Sequence, residues 1–328
     1  MASRLPAFLR LLAAGLISLA LSGCEAVFFS AVNATARDRG LQVHPGIEYA
    51  PQQDLALDIY APKNARHAPV VVFFYGGAWQ DGKRQWYRWA GKVLAEHGLV
   101  AEVPDYRKYP QVKLDGFMHD AARAVAWTRA HAAQYGGDPH DLFLMGHSAG
   151  AHIGALLSTD AHWLEQVGMR PDQLRGFIGL AGPYDFLPLR EQVYIDIFGH
   201  THARQERSQP VAFVNGNEPP MLLLQGGDDT LVAPDNALSL AAALRREGEP
   251  VVDHVYAGIS HAGLLLSLSR PFRSKSPALH DALAFIDAHS TEPRRPPGTE
   301  RARPAPRTAS SRSARHRGHG PAGISIHD

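Results

Sequence analysis

The chain has 328 residues, 45% of them hydrophobic, which is enough to bury a sizeable core and few enough for one domain with appendages. Its 33 Lys and Arg against 32 Asp and Glu leave a net charge of +1, which gives no electrostatic ground for nucleic acid as a partner. The charge is uneven: from Thr291 onward eight arginines face three acids, a surplus of five, so everything before that point carries −4.

The first 23 residues read as an export signal. Arg4 and Arg10 supply positive charge, Leu11 to Leu21 form an apolar run too short for a confident spanning helix, and small residues lead to Cys24. Cys24 is the only cysteine, so no intramolecular disulfide explains it. Leu21-Ser22-Gly23-Cys24 is similar to a bacterial lipobox, and that resemblance implies cleavage before Cys24, lipid attachment to it, and a mature protein anchored in the cell envelope. Glu25, in place of the aspartate associated with inner-membrane retention, points to the outer membrane. Residues 24–41 are expected as a tether and 42–290 as the folded domain.

Within that domain, short apolar or β-branched runs alternate with helical stretches, the pattern of parallel βαβ units. Strands are expected at Leu55–Tyr60, Val70–Tyr75, Leu99–Val103, Leu142–Met145, Gly176–Leu180, Met221–Gln225 and Val251–Tyr256. The unbroken apolar run after Pro69 suits a strand covered on both faces. Met118, Ala121, Ala122 and Val125 recur at helical spacing, as do Ala237, Leu240, Ala241 and Leu244, the second set opening near Pro234 and closing at Gly248. Residues 291–328, rich in Pro, Arg, Ser and Gly, are expected to be a disordered basic tail.

Chemistry gathers where strands run into loops or helices. Phe73-Phe74-Tyr75-Gly76-Gly77-Ala78-Trp79 ends a buried strand in two glycines, which let backbone amides approach a ligand. Leu142-Phe-Leu-Met-Gly146-His147-Ser148-Ala149-Gly150 joins a strand to a small-residue helix and reads as a nucleophile elbow, with Ser148 exposed on a strained turn. At the helix start the N–H of Ala149 has no intrahelical partner and can donate to an oxyanion. Met221-Leu-Leu-Leu-Gln-Gly-Gly-Asp228-Asp229 brings two acids to a strand end, and Tyr256-Ala-Gly-Ile-Ser-His261-Ala-Gly presents one of the eighteen histidines on a small-residue loop. The order serine, acid, histidine is that of an α/β-hydrolase triad. Metal catalysis is a poor alternative: His147 and His152 are five apart, and no H-E-x-x-H occurs.

The glycine loop resembles the H-G-G-x-W loop of the hormone-sensitive-lipase-like, kynurenine-formamidase-like and feruloyl/acetyl-xylan-esterase-like branches of the α/β-hydrolases, with Tyr75 where those families usually carry histidine. Asp105-Tyr106-Arg107, Gly136-Gly137-Asp138-Pro139 and Gly182-Pro183-Tyr184-Asp185 extend the resemblance to roughly residues 42–289, as turn and packing elements. It implies an α/β-hydrolase fold, with a mostly parallel sheet, helices on both faces and a short cap insertion at 183–220. It also implies Ser148 as nucleophile, His261 as base and an oxyanion hole from Gly76, Gly77, Ala78 and Ala149. The family spacing G-x-x-D-x-x-V selects Asp229 as the acid, with Asp228 in reserve. Trp79 and Tyr184 are expected pocket walls. The implied activity is hydrolysis of short-acyl or acetylated carboxylic esters, with no cofactor. An amidase of the formamidase type and a non-catalytic binding lipoprotein on the same scaffold remain open alternatives.

Overall fold

The computed structural model describes residues 27–291; the expected export signal, Cys24 and the basic tail from 292 onward lie outside the described residues. Eight strands form one sheet: β1 (Leu41–Ala50), β2 (Leu55–Pro62), β3 (Ala68–Phe74), β4 (Val100–Pro104), β5 (Gly137–His147), β6 (Gly176–Leu180), β7 (Met221–Gly226) and β8 (Val251–Tyr256). Their spatial order is β1-β2-β4-β3-β5-β6-β7-β8, with β2 antiparallel to both neighbours and every other pairing parallel. Helical backbone runs over 27–35 (α1). After it come α2 (Arg88–Glu96), α3 (Leu114–His131), α4 (Ala149–Thr159), α5 (Ala161–Glu165), α6 (Gln192–Phe198), α7 (His202–Glu206), α8 (Asp235–Glu247), α9 (His261–Leu266) and α10 (Ala278–His289).

The apolar runs behave as expected. Every residue of β3, β6 and β7 is buried, which requires cover on both faces of the sheet. On α3 the stripe of Met118, Ala121, Ala122 and Val125 is buried, and α8 ends at Gly248 in the left-handed conformation, φ 84°. Parallel strands bring the C-terminal ends of β3, β5, β7 and β8 to one edge of the sheet, so the loops carrying Gly76, Ser148, Asp229 and His261 share that edge.

Two elements differ from the expectation. β1 is a strand that apolar periodicity does not reveal, since Pro45 and Gly46 interrupt it. At the sheet edge they form a bulge: pairing shifts register between His44 and Ile47, and the Gly46 N–H donates to Asp58 Oδ1 at 2.9 Å. Residues 27–35, expected as tether, form α1 and dock on the domain. Phe29 stacks on Trp86 with ring centroids 5.1 Å apart, and Asn33 bonds the Gln85 carbonyl at 3.0 Å and the Trp89 N–H at 2.9 Å.

Inside β4, Glu102 is fully buried and accepts a hydrogen bond of 2.6 Å from Thr128 on α3. Burial pushes its carboxyl up to about 7, with the Thr128 bond opposing. Since its folded value exceeds the unfolded one, the folded state holds the proton more tightly and Glu102 costs stability as pH rises from about 4.5 to about 7. Glu102→Gln, compared with wild type at each pH to cancel the buried histidines, is expected to gain about 3 kcal/mol more at pH 8 than at pH 5. Urea denaturation checks this, and a pH-independent difference would show that folding does not change the proton affinity of Glu102.

Candidate active site

The turn after β5 forces Ser148 to φ 55° and ψ −124°, strain of roughly 1–3 kcal/mol for a non-glycine residue. Close backbone packing holds it there. A Cβ at Gly146 would lie 2.3 Å from the Gly150 carbonyl oxygen, and one at Gly150 would lie 2.1 Å from that of Phe74 on β3. The Ser148 N–H donates to Leu180 O on β6 at 2.9 Å, and its carbonyl accepts from His152 at 3.0 Å. Ala149, the first residue of α4, has an N–H beyond the reach of any intrahelical acceptor.

The glycine loop after β3 lies against this elbow: a Cβ on Gly76 would be 3.1 Å from that of Ser148. Gly77, Ala78 and Trp79 all take positive φ, 131°, 50° and 59°, and the Gly77 carbonyl accepts the N–H groups of Gln80 and Asp81 at 2.9 Å each. Tyr75 anchors the loop. Its hydroxyl donates to Asp105 Oδ1 at 2.8 Å and accepts from Lys108 at 3.1 Å, its ring stacks between Tyr87 and Tyr106, and its carbonyl accepts the Tyr106 hydroxyl at 2.8 Å. Burial, reinforced by the Asp105 carboxylate, pushes the Tyr75 phenol well up, so it stays a neutral donor. Asp105 also pairs with Arg84, which bonds Asp58 at 2.8 Å. Asp105 is therefore an electrostatic hub as well as a turn residue, a role its sequence neighbourhood alone does not signal.

Beyond β7, Asp229 is buried and its Oδ2 lies 2.7 Å from His261 Nδ1. The same oxygen accepts from Gln225 Nε2 at 3.0 Å, and Oδ1 accepts from the N–H groups of Leu231 and Val232 at 2.9 Å. A carboxylate so surrounded by donors only accepts, so His261 Nδ1 carries the hydrogen and Nε2 is left as the basic nitrogen. Asp228 is exposed and meets the base loop through its backbone N–H, bonded to Ile259 O at 3.0 Å. His261 opens α9, whose cap is Ser260, accepting the Gly263 N–H.

Ser148, His261, Ala78 and Trp79 line one cavity of about 710 Å³, walled by Phe186 and Tyr194. That volume suits a small organic ligand. Trp79 is fixed from below: its indole N–H donates to His152 Nδ1 at 3.2 Å, while His152 Nε2–H donates to Ser208 O at 2.7 Å. Burial lowers His152 to about 4, so it is neutral at ordinary pH and this tautomer persists. Tyr184, an expected wall, does not line the cavity. It is buried edge-on to Phe177 at 6.4 Å, with its backbone N–H bonded to Asn236, while Pro183 and Phe186 on either side of it line the cavity. Phe186 and Tyr194 belong to the expected insertion at 183–220, which carries α6 and α7, but nothing in their spacing singles them out.

The BD-FAE family profile matches residues 57–244, more than half the chain. A probable isoprenylcysteine alpha-carbonyl methylesterase, ICMEL1, of Arabidopsis thaliana is 31% identical over 246 residues, covering 68% of this chain and 52% of that protein. Esterase LipQ of Mycobacterium tuberculosis is 29% identical over 244 residues, covering 67% of this chain and 56% of the relative. This chain thus spans little more than half the length of these curated relatives. Among solved structures, esterase B of Lactobacillus rhamnosis superposes with a TM-score of 0.68 at 21% identity, over 84% of this chain and 94% of the other, a likeness of fold.

Gly150→Ala is expected to destabilise the protein by on the order of 3 kcal/mol or more, since the methyl meets backbone that cannot yield. Gly168→Ala, where a Cβ meets nothing within 4 Å, should cost about 1 kcal/mol for its positive φ alone. Chemical denaturation of the two variants checks this, and equal midpoints would contradict the close-packing account.

Proposed function

The chain belongs to the BD-FAE family, and from that membership and the geometry around Ser148 we propose that it is a serine-dependent carboxylic ester hydrolase for short-acyl or acetylated substrates. The observation that carries this reading is the 2.7 Å pairing of buried Asp229 with His261, on a cavity that Ser148 also lines. Esterase and methylesterase relatives support it.

In this mechanism His261 Nε2 takes the Ser148 proton as Oγ attacks the ester carbonyl, and Asp229 holds the imidazole in its tautomer and stabilises the imidazolium. The carbonyl oxygen becomes an oxyanion, met by the N–H of Ala149 and the amides of the Gly76-Gly77-Ala78 loop. His261 then protonates the leaving alcohol. The acyl-serine is hydrolysed by water with His261 again as base. Positive φ at Gly77, Ala78 and Trp79 and the anchoring of Tyr75 support a preorganised oxyanion loop, so the tyrosine replaces the family's usual histidine without freeing the loop. The segment 183–220 contributes two short helices, not a lid domain, which supports an accessible site for small acyl groups. The lipobox-like Leu21-Ser22-Gly23-Cys24 supports lipid anchoring in the envelope.

Hydrolysis of p-nitrophenyl acetate, butyrate and octanoate tests the activity. Ser148→Ala should lower kcat by about 10⁶ and Asp229→Asn by about 10⁴, with Asp228→Asn close to wild type and acetate or butyrate preferred to octanoate. A Ser148→Ala protein as active as wild type would sink the triad, and turnover of N-formyl amides with esters untouched would favour a formamidase. For the anchor, Cys24→Ser should move the protein from the membrane fraction to the soluble fraction of the envelope. Its retention in the membrane would sink the lipidation reading.

A further inference from the structure

His147, the residue before the nucleophile, has no part in the proton transfers above, yet three parts of the site meet on its ring. It belongs to the elbow by its backbone. Its imidazole is 5% exposed, lies 4.7 Å from the His261 ring, centroid to centroid, and places Nε2 3.2 Å from the carbonyl oxygen of His261. A carbonyl only accepts, so Nε2 carries the hydrogen and Nδ1 bears a lone pair. Nδ1 is buried with no protein partner among the described residues and faces the oxyanion loop, where a Cβ on Gly76 would come within 3.1 Å of it. Burial above all, and the neighbouring His261, lower the ring to about 3, so it is neutral at any ordinary pH and places no second positive charge beside the base.

The carbonyl of Ile259 ties the base loop to the acid loop through the Asp228 N–H, and Asp229 orients the His261 side chain. Neither bond ties the base loop to the elbow. The His147–His261 hydrogen bond does, joining residues 114 apart in sequence whose relative position decides proton transfer. A hydrocarbon side chain of similar size would fill the same space without leaving a buried nitrogen unmatched, so packing alone does not explain an imidazole here.

We propose that His147 is a positioning residue for the base: by hydrogen-bonding the backbone of His261 it sets the distance between His261 and Ser148. The proposal rests on the serine-hydrolase reading. Its test uses the full chain and three variants: His147→Phe, which fills the space without a donor; His147→Gln, which restores a donor near the position of Nε2; and Ser148→Ala as reference. Melting temperature, kcat and KM for p-nitrophenyl acetate, and the rate of labelling by a fluorophosphonate are measured for each.

The expected result for His147→Phe is a kcat lower by on the order of 10- to 100-fold, with slower labelling in proportion, as for a slightly misplaced catalytic group. KM should stay within about threefold, because substrate contacts are untouched, and the melting temperature should hold. His147→Gln should recover most of the lost kcat, a rescue that a purely space-filling role would not produce. A Phe variant within about twofold of wild type in kcat, or Phe and Gln variants that lose rate equally, overturns the proposal. Should the Phe variant fail to fold, His147→Leu takes its place under the same criteria. A wild type that neither hydrolyses the ester nor labels faster than Ser148→Ala sinks the serine-hydrolase reading and this proposal with it; an active wild type matched by the Phe variant sinks only the role of His147.

Discussion

Ser148 occupies a backbone conformation that a serine does not take unaided, and the contact that holds it is the approach of Gly146, Gly150 and the end of β3 to one another with no room for a side chain. The strain is local, and what opposes it is the register of the sheet. β3, β5 and β6 are paired along buried strands, so Phe74 and Leu180 present their carbonyls at fixed positions on either side of the turn. Displacing Ser148 therefore means displacing a central strand or the start of α4, all of whose residues are buried. Strain of roughly 1–3 kcal/mol persists only under such overdetermination.

The glycine loop after β3 depends on the elbow in turn. Gly76 rests on Ser148, and the positive φ of Gly77, Ala78 and Trp79 would be unfavourable in a free loop. These residues are fastened at one end by Tyr75 and its network of Asp105, Lys108 and Arg84, and at the other by Trp79 on the neutral His152. The two anchors differ in kind. One is an ionic hub partly open to solvent, where Arg84 bridges the carboxylates of Asp58 and Asp105. The other is a buried chain of neutral donors and acceptors ending on Ser208 in the segment 183–220, so that segment supports the cavity floor as well as its walls.

Polar groups near Ser148 are sorted by burial. His147 and His152 are buried deeply enough to remain neutral, whereas Asp229 is buried among four hydrogen-bond donors. Burial without an opposite charge disfavours charged imidazole, while every oxygen of Asp229 has a hydrogen-bond donor. The site thus holds one carboxyl group beside His261 while the two buried imidazoles stay uncharged.

Much of the fold was legible in the sequence. Seven of the eight strands lie in short apolar or β-branched runs; for β3, β6 and β7 the reason is cover on both faces, whereas β8 at the sheet edge is legible from its valines alone, and the elbow was legible because its two glycines are required by steric exclusion. β1 escaped because an edge strand tolerates Pro45, Gly46 and polar residues, and α1 escaped because its nine described residues draw their stability from docking on Trp86 and Trp89. The spacing that favoured Asp229 over Asp228 agrees with the tertiary contact, but the sequence places both acids on one loop; only the fold decides which carboxylate is buried against His261. It likewise sends Tyr184 into the core and Phe186 to the cavity, and it assigns His147 and His152 neutral partners. Local sterics and the apolar runs of buried strands are written along the chain, so the sequence by itself determined every strand but β1, the elbow, and the order of serine, acid and histidine. The tertiary structure decided every pairing between residues distant in the chain, because a hydrogen bond or a charge acts over a few ångströms of space and leaves no period in the sequence.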